Sequence, residues 1–314
     1  MGAWVDFSNR IEIGNWSWSN GAMQIYGYEE LTEEFVRNII ASPGIRHIQI
    51  TENLPENAYK MIDRILEERE DMYFRIYSMG EKEPVDLNCL REMEHLKNLQ
   101  LDGYLRERQE MFDFHILSKL KGLRGLGLNL YELRDYSFLR ELSPCLESLS
   151  VSAETSGKSI DFDCEWLLDY PHLSKLYLGK KAKKNIQKIG LIPKLTSLTL
   201  QGIKVKDYEF LRDSSCLSEL SIRWNGMNDL SSLSGFEQLR KLELWRIMKL
   251  EDISFISTLT GLQILKLIDL KWIKSLPDLS GLKDLKEIGI DNVPLDMLHI
   301  EQYRRKYSPP LCGR

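Results

Sequence analysis

The chain has 314 residues, of which 43% are hydrophobic and 28% are charged, proportions that suit an ordinary folded protein. Its net charge of −5 argues against a dedicated binder of nucleic acid or of anionic membrane, because both rely on positive charge. No apolar run approaches the roughly 18 residues that a membrane-spanning helix needs. We therefore expect a protein as the partner, and neither a nucleic acid nor a membrane.

Residues 1–44 predict an N-terminal cap followed by a first helix. Two short segments, 10–13 and 23–26, flank a loop rich in glycine, asparagine and tryptophan. We interpret them as a hairpin that covers the open end of a sheet, because a stacked array needs a cap at each end. The tryptophans of this stretch are expected to pack inside the cap: Trp4, Trp16 and Trp18.

Strands and helices alternate in the next part of the chain. Thr32 is a suitable N-cap for the first helix, which a Pro-Gly pair ends at residues 43–44. Apolar residues at helical spacing between residues 57 and 70 predict a second helix. Segments 45–50 and 74–76 have the spacing of strands. A strand-helix alternation of this kind is typical of long repeat units.

An apolar pattern, L-x-x-[LI]-x-[LIV], recurs in a series of nine from residue 96 onward, at separations of 27, 23, 27, 22, 22, 22, 23 and 23 residues. Its inner apolar pair alternates with period two, as in a short strand that buries one face. A single repeat cannot shield its own leucines from water. Neighbouring repeats must therefore stack, which joins the strands into a parallel sheet with a continuous core. Leucines three apart between the strands predict short helices or 3-10 turns.

This pattern resembles the leucine-rich-repeat family over roughly residues 40–293. It is most similar to the 22-residue class found in regulatory subunits of protein phosphatase, and the repeat that begins at Leu217 fits this class well, with Asn225 at the asparagine position. Most repeats lack that asparagine, so a ladder of asparagines is mostly missing: Tyr131, Ile203, Ile247, Leu270 and Val293 stand there instead. The resemblance implies an α/β solenoid shaped as a curved horseshoe, with a parallel sheet on its concave face and short helices or 3-10 turns on its convex face.

The C-terminal end predicts a second cap. Pro294 opens an amphipathic helix, and Ser308 with the two following prolines ends it. The side chains expected on its apolar face are Leu295, Leu298 and Tyr303. No linker rich in glycine, serine or proline divides the chain, which predicts one domain over residues 1–314, with cap and first helix in 1–44, repeats in 45–293 and the second cap in 294–314.

The sequence contains no motif that is typical of a catalytic site or a metal site. It contains no phosphate-binding glycine loop, no metalloprotease motif and no nucleophile elbow, and its five histidines share no metal-ligand spacing. We therefore expect no enzyme, no metal and no cofactor. Five widely spaced cysteines and the lack of a secretory signal favour reduced thiols in a cytoplasmic protein. Cys145 and Cys216, each next to a repeat leucine, are expected to be small buried residues.

The strand geometry predicts which side chains a partner would meet. In the last three repeats the residues beside the inner leucines should face the concave surface, and Trp and Arg among them are the types that most often dominate binding energy. The alternative is that the tryptophans fold over the sheet edge and cover their neighbours. The predicted contact residues are Arg223, Trp224, Glu243, Trp245, Arg246, Lys266, Ile268, Asp269 and Asp291.

Other candidate contacts lie earlier in the chain. Tyr73, Arg75 and Tyr77 alternate outward on a predicted strand, and Tyr177 interrupts a stretch of small side chains as a possible anchor. The lysine run 180–184 is either a solvated loop or a contact for an acidic partner or a phosphate.

These patterns favour a non-catalytic protein-binding module that is monomeric when free. Its more specific role is open between an immunity or inhibitor-type protein, which neutralises a toxin or enzyme by direct binding, and a regulatory subunit or scaffold. The missing signal and the odd number of cysteines disfavour a secreted effector.

Overall fold

The computed structural model of the protein describes residues 9–14, 24–78, 84–105, 112–157 and 159–307, without the side chains of 297–299, 304 and 305. Trp4, Trp16, Trp18, Ser308 and Cys312 lie outside these residues, so the predictions made for them stay predictions. The chain divides into two compact units: Met1–Phe162 with Asp169–His172, and Asp163–Leu168 with Leu173–Arg314.

The described part of the first unit contains seven strands that all run parallel. They are β1 (Arg10–Ile13), β2 (Gln24–Tyr26), β3 (His47–Ile50), β4 (Tyr73–Ser78), β5 (Asn98–Tyr104), β6 (Gly125–Tyr131) and β7 (Ser148–Ala153). From β3 to β7 each strand pairs with its successor, as stacked repeats require. β1 lies between β3 and β2, so β2 is the edge strand.

The N-terminal segments form the two predicted strands, but the predicted hairpin between them is wrong. β1 and β2 pair in parallel, with Ile11 beside Gln24 and Ile13 beside Tyr26. A hairpin joins antiparallel strands, whereas parallel strands need a connection that returns the chain to the same end of the sheet. The ten residues 14–23 between the strands exceed the two to five of a hairpin loop.

Both predicted helices of the first unit are confirmed as α1 (Glu33–Ile40) and α2 (Glu56–Glu68). The hydroxyl of Thr32 accepts a hydrogen bond from the backbone N–H of Phe35 at 3.2 Å, which makes Thr32 the N-cap of α1. Arg69, just after α2, donates to the carbonyl oxygens of Ser42 at 3.0 Å and Ile45 at 2.8 Å. This contact fixes the end of α1 against the end of α2.

Six parallel strands lie in the described part of the second unit, each paired with its successor. They are β8 (Lys175–Lys180), β9 (Ser197–Gln201), β10 (Glu219–Arg223), β11 (Lys241–Trp245), β12 (Ile264–Ile268) and β13 (Glu287–Asp291). The helix α3 (Met297–Tyr307) follows β13 and packs against it.

The apolar face of α3 differs from the predicted one. The helix begins three residues after Pro294, and its described side chains bury Ile300 and Tyr307, whereas Leu295 and Tyr303 are only half-buried. The hydroxyl of Tyr307 lies 3.5 Å from the carbonyl oxygen of Leu279. A later helix start rotates the residues that meet the sheet. The side chain of Leu298 lies outside the described ones.

The core consists of the repeat leucines, which are almost completely shielded from solvent. Leu220 and Ile222 of β10 are 1% and 0% exposed, and their neighbours on β11 are 0% exposed. Burying one such side chain stabilises the fold by roughly 1.5–3 kcal/mol. Between strands the chain passes through 3-10 segments, which confirms the predicted short turns: Leu87–Glu92, Phe114–Lys119, Ser137–Glu141, Cys164–Asp169, Ile186–Leu191, Glu209–Leu211, Ser231–Leu233 and Ser254–Thr258.

In the second unit, a residue with left-handed backbone directly follows each of the strands β10, β11 and β12. Trp224, Arg246 and Asp269 have φ values of 51°, 52° and 54°. The N–H of each donates to the carbonyl oxygen at the end of the next strand, at 2.8–2.9 Å, which offsets the cost of the left-handed conformation. This turn fixes where the side chains that follow the strands are presented.

Cys145 and Cys216 are exposed, so their predicted burial is wrong. In each case the following leucine, Leu146 or Leu217, occupies the core with 0% exposure. The cysteine stands one position earlier in the turn and points away. The buried thiol among the described cysteines is that of Cys164, and its burial raises its pKa to about 12.

Candidate functional site

We call the open face of the second unit the sheet face that carries Ser221 and Arg223, opposite the buried Leu220 and Ile222. Strand register places each residue of this face beside the equivalent residue of the next repeat, as the repeat spacing predicts. The result is two rows, Ser221–Glu243–Lys266–Gly289 and Arg223–Trp245–Ile268–Asp291.

Arg223 and Glu243 form an ion pair between β10 and β11. Nε of Arg223 lies 2.6 Å from Oε1 of Glu243, and the hydroxyl of Ser221 donates to the same oxygen at 2.7 Å. The side chains of Arg223 and Glu243 are 19% and 12% exposed. The pair holds the guanidinium group in one orientation in the unbound protein, which reduces the ordering cost of binding a partner.

Trp224 and Trp245 lie edge to face, with ring centroids 6.1 Å apart and planes at 76°. The guanidinium carbon of Arg223 is 5.5 Å from the centroid of Trp245, and that of Arg246 is 5.8 Å from the centroid of Trp224. The ammonium nitrogen of Lys180 is 5.7 Å from the same Trp224 ring. Both indoles are half-buried. Trp224 thus packs against its neighbours, and cation–π attraction holds the group together.

Asp269 is surrounded by donors from its own and neighbouring connections. It forms ion pairs with Arg246 and with Lys271, the latter at 3.1 Å, and accepts from Nδ2 of Asn292 at 2.8 Å. The hydrogen bonds from Arg246 and Lys271 lower the pKa of Asp269. Because Asp269 is satisfied within the protein while the side chain of Arg246 is 53% exposed, Arg246 is the member that a partner can reach.

The remaining predicted residues extend the same surface toward β13. Nζ of Lys266 lies 3.4 Å from Oε1 of Glu287. Ile268 is half-buried, and Asp291 is exposed. The row Arg223–Trp245–Ile268–Asp291 is therefore cationic at β10, aromatic at β11 and acidic at β13.

The residues predicted on β4 are less accessible than the sequence suggested. Tyr73 and Tyr77 are half-buried, and Arg75 is only 5% exposed. Nε of Arg75 pairs with Asp102 at 2.5 Å, and its guanidinium carbon lies 4.7 Å from the centroid of Tyr77. Tyr73 stacks on His47 with ring centroids 5.4 Å apart.

A buried polar network explains why Arg75 is not presented. Gln49 accepts hydrogen bonds from Arg75 and from Arg10, the latter at 2.8 Å, and donates to Glu12 at 2.7 Å. Glu12 is 0% exposed. Burial, followed by the charge of Arg75, lowers the pKa of Arg10 to about 10, so the guanidinium group stays charged at neutral pH. Satisfied buried networks of this kind fix strand position rather than bind partners.

Tyr177 does not provide the exposed anchor expected from the sequence. It stands on β8 at the position equivalent to Ser221, but it is 7% exposed. A side chain this covered offers little area to a partner. The open face of β10–β12 is therefore the better-presented of the predicted surfaces.

Two exposed apolar residues were not predicted from the sequence. Met248 is 61% and Trp272 is 54% exposed, and they lie in the connections after β11 and β12. Both stand beyond the strand, where the repeat pattern fixes no orientation. Their residue types could have indicated this exposed pair from the sequence, because large apolar side chains are unusual in an otherwise basic connection.

The lysine run 180–184 is partly neutralised. Nζ of Lys184 lies 3.1 Å from Oδ2 of Asp163, and Lys180 lies over the ring of Trp224. Lys188, close by, pairs with Glu165 at 3.2 Å. Lys183 is exposed. The run thus joins the aromatic group at one end and faces solvent at the other.

In the part of the chain that the structure describes, no cluster of histidine, cysteine and carboxylate side chains could hold a metal ion. Across the same residues, none of the helices combines the length and apolar character needed to cross a lipid bilayer.

Comparison with a solved structure supports this architecture. No protein-family model matches the chain, and no curated protein matches it. The chain is similar in structure to an internalin, inlF, from Listeria monocytogenes, with 21% identity, 80% of this chain and 68% of that chain covered, and a TM-score of 0.51. Internalins are leucine-rich-repeat proteins. The fold is therefore that of a leucine-rich-repeat solenoid, which confirms the resemblance found in the sequence.

Two further solved structures from Listeria monocytogenes are also similar. Internalin C2 has 18% identity, with 76% of this chain and 84% of that chain covered and a TM-score of 0.37. The functional domain of InlJ, which is described as including a cysteine ladder, has 14% identity, with 82% and 60% covered and a TM-score of 0.40.

Proposed function

We propose that the chain is a non-catalytic protein-binding module and that a protein partner docks on the open face of β10–β12. The observation that carries this proposal is the group formed by Arg223, Trp224 and Trp245, which combines two part-exposed indoles with a guanidinium group held by Glu243. Trp and Arg dominate binding energy at interfaces when they are rigid and central.

The arrangement supports binding rather than chemistry. Within the described residues, the carboxylates beside the aromatic group are paired with cations: Glu243 with Arg223, and Asp269 with Arg246 and Lys271. A general acid or base needs an unengaged group within reach of a reacting atom. The leucine-rich-repeat fold also supplies a broad surface, which suits a macromolecular partner better than a small substrate.

The experiment compares the wild-type chain with Trp245→Ala and Arg223→Ala as baits for a partner from the source cells. Each variant is expected to lower affinity by about 2 kcal/mol, roughly thirtyfold, in a calorimetric titration. Leu191→Ala is the matched control, because Leu191 is a 57% exposed apolar side chain on a 3-10 segment away from the open face. Thermal unfolding of each variant shows that the fold is retained.

The outcome also separates the specific roles. Unchanged affinity in both variants would place the site elsewhere. If the captured partner is an enzyme or toxin and loses activity on binding, the inhibitor or immunity-type role is supported. If its activity persists or is redirected, the regulatory or scaffold role is supported. A cytoplasmic location stays a prediction.

A further inference from the structure

The connections that follow β8–β12 carry a charge opposite to that of the whole chain. We call them the strand-end rim: residues 180–184, 202–206, 224–228, 246–251 and 269–274. The rim contains ten lysines and arginines and two carboxylates, a net charge of +8, in a chain whose net charge is −5. The rest of the chain therefore carries −13. Positive charge is concentrated on this one edge of the second unit.

Some of this charge is available to a partner. Lys183, Lys204 and Lys249 are exposed, and none of them forms an ion pair with the described residues. Other rim lysines are partly neutralised: Lys184 pairs with Asp163 at 3.1 Å, and Lys274 lies 3.9 Å from Glu251. The pairs reduce the field of the rim without cancelling it, because the side chains of Lys184 and Lys274 remain 65% and 84% exposed.

The rim also presents two large exposed apolar side chains. Met248 and Trp272 follow β11 and β12, whose register pairs Trp245 with Ile268. Adjacent parallel strands lie about 4.8 Å apart, so the two connections are neighbours on the rim. Exposed apolar side chains flanked by charge are characteristic of contact surfaces. The rim thus offers apolar anchorage within a basic field.

We infer that the partner continues from the open face onto the strand-end rim with an acidic polypeptide segment, which carries a large apolar side chain that packs against Met248 and Trp272. This inference rests on the proposed function and names the chemistry of its partner. Charge complementarity with the basic rim favours an acidic segment in the partner. Met248 and Trp272 favour a partner side chain that is large and apolar enough to pack against both of them.

A polypeptide fits the rim better than a nucleic acid. Glu251, whose side chain is 61% exposed, stands in the same connection as Met248, where a phosphate backbone would meet it. The connection at residues 224–228 contributes no cation, which interrupts the positive track that a continuous polyanion needs. An acidic peptide can place a neutral or apolar residue at these points.

The test uses a fluorescent peptide of glutamates with one central phenylalanine as the probe. Its binding is followed by fluorescence anisotropy at low and at physiological salt. Three further probes are used: the same peptide with serine for phenylalanine, the same peptide with lysine for glutamate, and a single-stranded DNA oligonucleotide. The acidic phenylalanine peptide is expected to bind most tightly, and its affinity should fall with salt because exposed charges are screened.

Two sets of variants locate the contact. The triple variant Lys183→Glu, Lys204→Glu, Lys249→Glu should weaken peptide binding by about tenfold or more, since it reverses three exposed charges without breaking an ion pair. Met248→Ala with Trp272→Ala should remove the preference for phenylalanine over serine. Leu191→Ala, on the 3-10 segment Ile186–Leu191 and outside both surfaces, should leave peptide binding unchanged.

The failures of the two proposals can be told apart. The rim proposal is overturned if the lysine peptide or the oligonucleotide binds as tightly as the acidic peptide, or if the triple variant binds the acidic peptide like the wild type. If the captured partner responds to Trp245→Ala but not to the triple variant, the open-face proposal stands and the rim proposal fails. If the partner responds to the triple variant alone, the open-face proposal fails.

Discussion

The side-chain amide of Asn225 joins two consecutive repeats of the second unit. Its Nδ2 donates to the carbonyl oxygen of Ile203 at 2.6 Å, and its Oδ1 accepts from the backbone N–H of Met227 at 2.9 Å. Asn225 is 2% exposed, and both backbone partners belong to buried residues. One side chain therefore satisfies a donor and an acceptor that water cannot reach.

Asn225→Ala should destabilise the fold by about 2–3 kcal/mol, because it leaves two buried backbone groups without partners. The measurement is urea unfolding followed by circular dichroism. Asn228→Ala is the matched control, since Asn228 is exposed three residues later. Equal midpoints for the two variants would show that the bridge contributes nothing.

The described tyrosines provide a second test, since two of them bury hydroxyl groups that have no hydrogen-bond partner among the described residues. Tyr136 and Tyr208 are both 0% exposed, and burial raises the pKa of each hydroxyl. Tyr170, in contrast, donates its hydroxyl hydrogen to the carbonyl oxygen of Leu139. Desolvation without a partner costs about 1–3 kcal/mol, whereas a buried hydrogen bond contributes about 1 kcal/mol.

Tyr208→Phe and Tyr136→Phe should therefore be neutral or stabilising by up to about 1 kcal/mol, whereas Tyr170→Phe should destabilise by about 1 kcal/mol. Thermal unfolding of the three variants at one pH provides the comparison. A loss of stability in Tyr208→Phe as large as that in Tyr170→Phe would contradict the assignment of unpaired hydroxyls.

Gly190 marks a place where two connections approach closely. A Cβ added to it would lie 1.8 Å from the carbonyl oxygen of Phe210, which belongs to the backbone of the next repeat. The carbonyl of Gly190 also accepts from the hydroxyl of Ser214 at 3.1 Å. Gly190→Ala must therefore separate the two connections.

Gly190→Ala is expected to destabilise by about 3 kcal/mol or more, or to prevent folding, since overpacking here is against rigid backbone. Gly226→Ala is the control, because a Cβ at Gly226 meets nothing within 4 Å. Expression yield and unfolding midpoint are measured for both. Similar behaviour of the two variants would mean that the repeats can move apart at little cost.

The sequence predicted the repeat architecture because burial of a leucine depends mainly on its spacing. Leu220 and Ile222 are buried where the period-two pattern places them, and the register of Trp245 against Ile268 follows from it. The N-cap of α1 was also predicted, because the Thr32 hydroxyl acts on its own segment. Features that depend on local hydrogen bonding or on a strict repeat period can thus be predicted from the sequence alone.

Orientation across strands was not predictable in the same way. Arg75 occupies an outward position, yet its contacts with Gln49 and Asp102 on flanking strands bury it. Those partners lie 26 and 27 residues away, and spacing alone cannot reveal which side chains meet. The parallel pairing of β1 with β2 was missed for a related reason, because two short strands and a loop fit either direction.

The imidazole of His95 and the carboxylate of Asp63 form a pH-sensitive contact. Asp63, buried on α2, accepts hydrogen bonds from the backbone N–H of His95 at 2.9 Å and from its Nδ1 at 2.8 Å. The hydrogen bond to Asp63 raises the pKa of His95 above its ordinary 6.5. The folded chain thus holds the imidazole proton more tightly than the unfolded chain.

Because the folded pKa is raised, the contact contributes its full stability below pH about 6.5 and loses it as the pH rises through the raised value. An NMR titration of the His95 ring should therefore give a midpoint above 6.5. Asp63→Asn should lower that midpoint. Part of the upward shift should remain, because the carboxylate of Glu67 lies 3.7 Å from Nε2 of His95.

His115 is the internal control for this titration, since its pKa is raised by Glu141 and not by Asp63. Its midpoint should be the same in the wild type and in Asp63→Asn. An asparagine at position 63 can still accept from the backbone N–H of His95, so the variant removes the charge and preserves the hydrogen bond that positions the turn. If the His95 midpoint does not move in Asp63→Asn, the raised pKa is due to the surrounding carboxylates as a group. If the His115 midpoint moves in parallel with that of His95, the variant has changed the fold in general instead of removing this one contact.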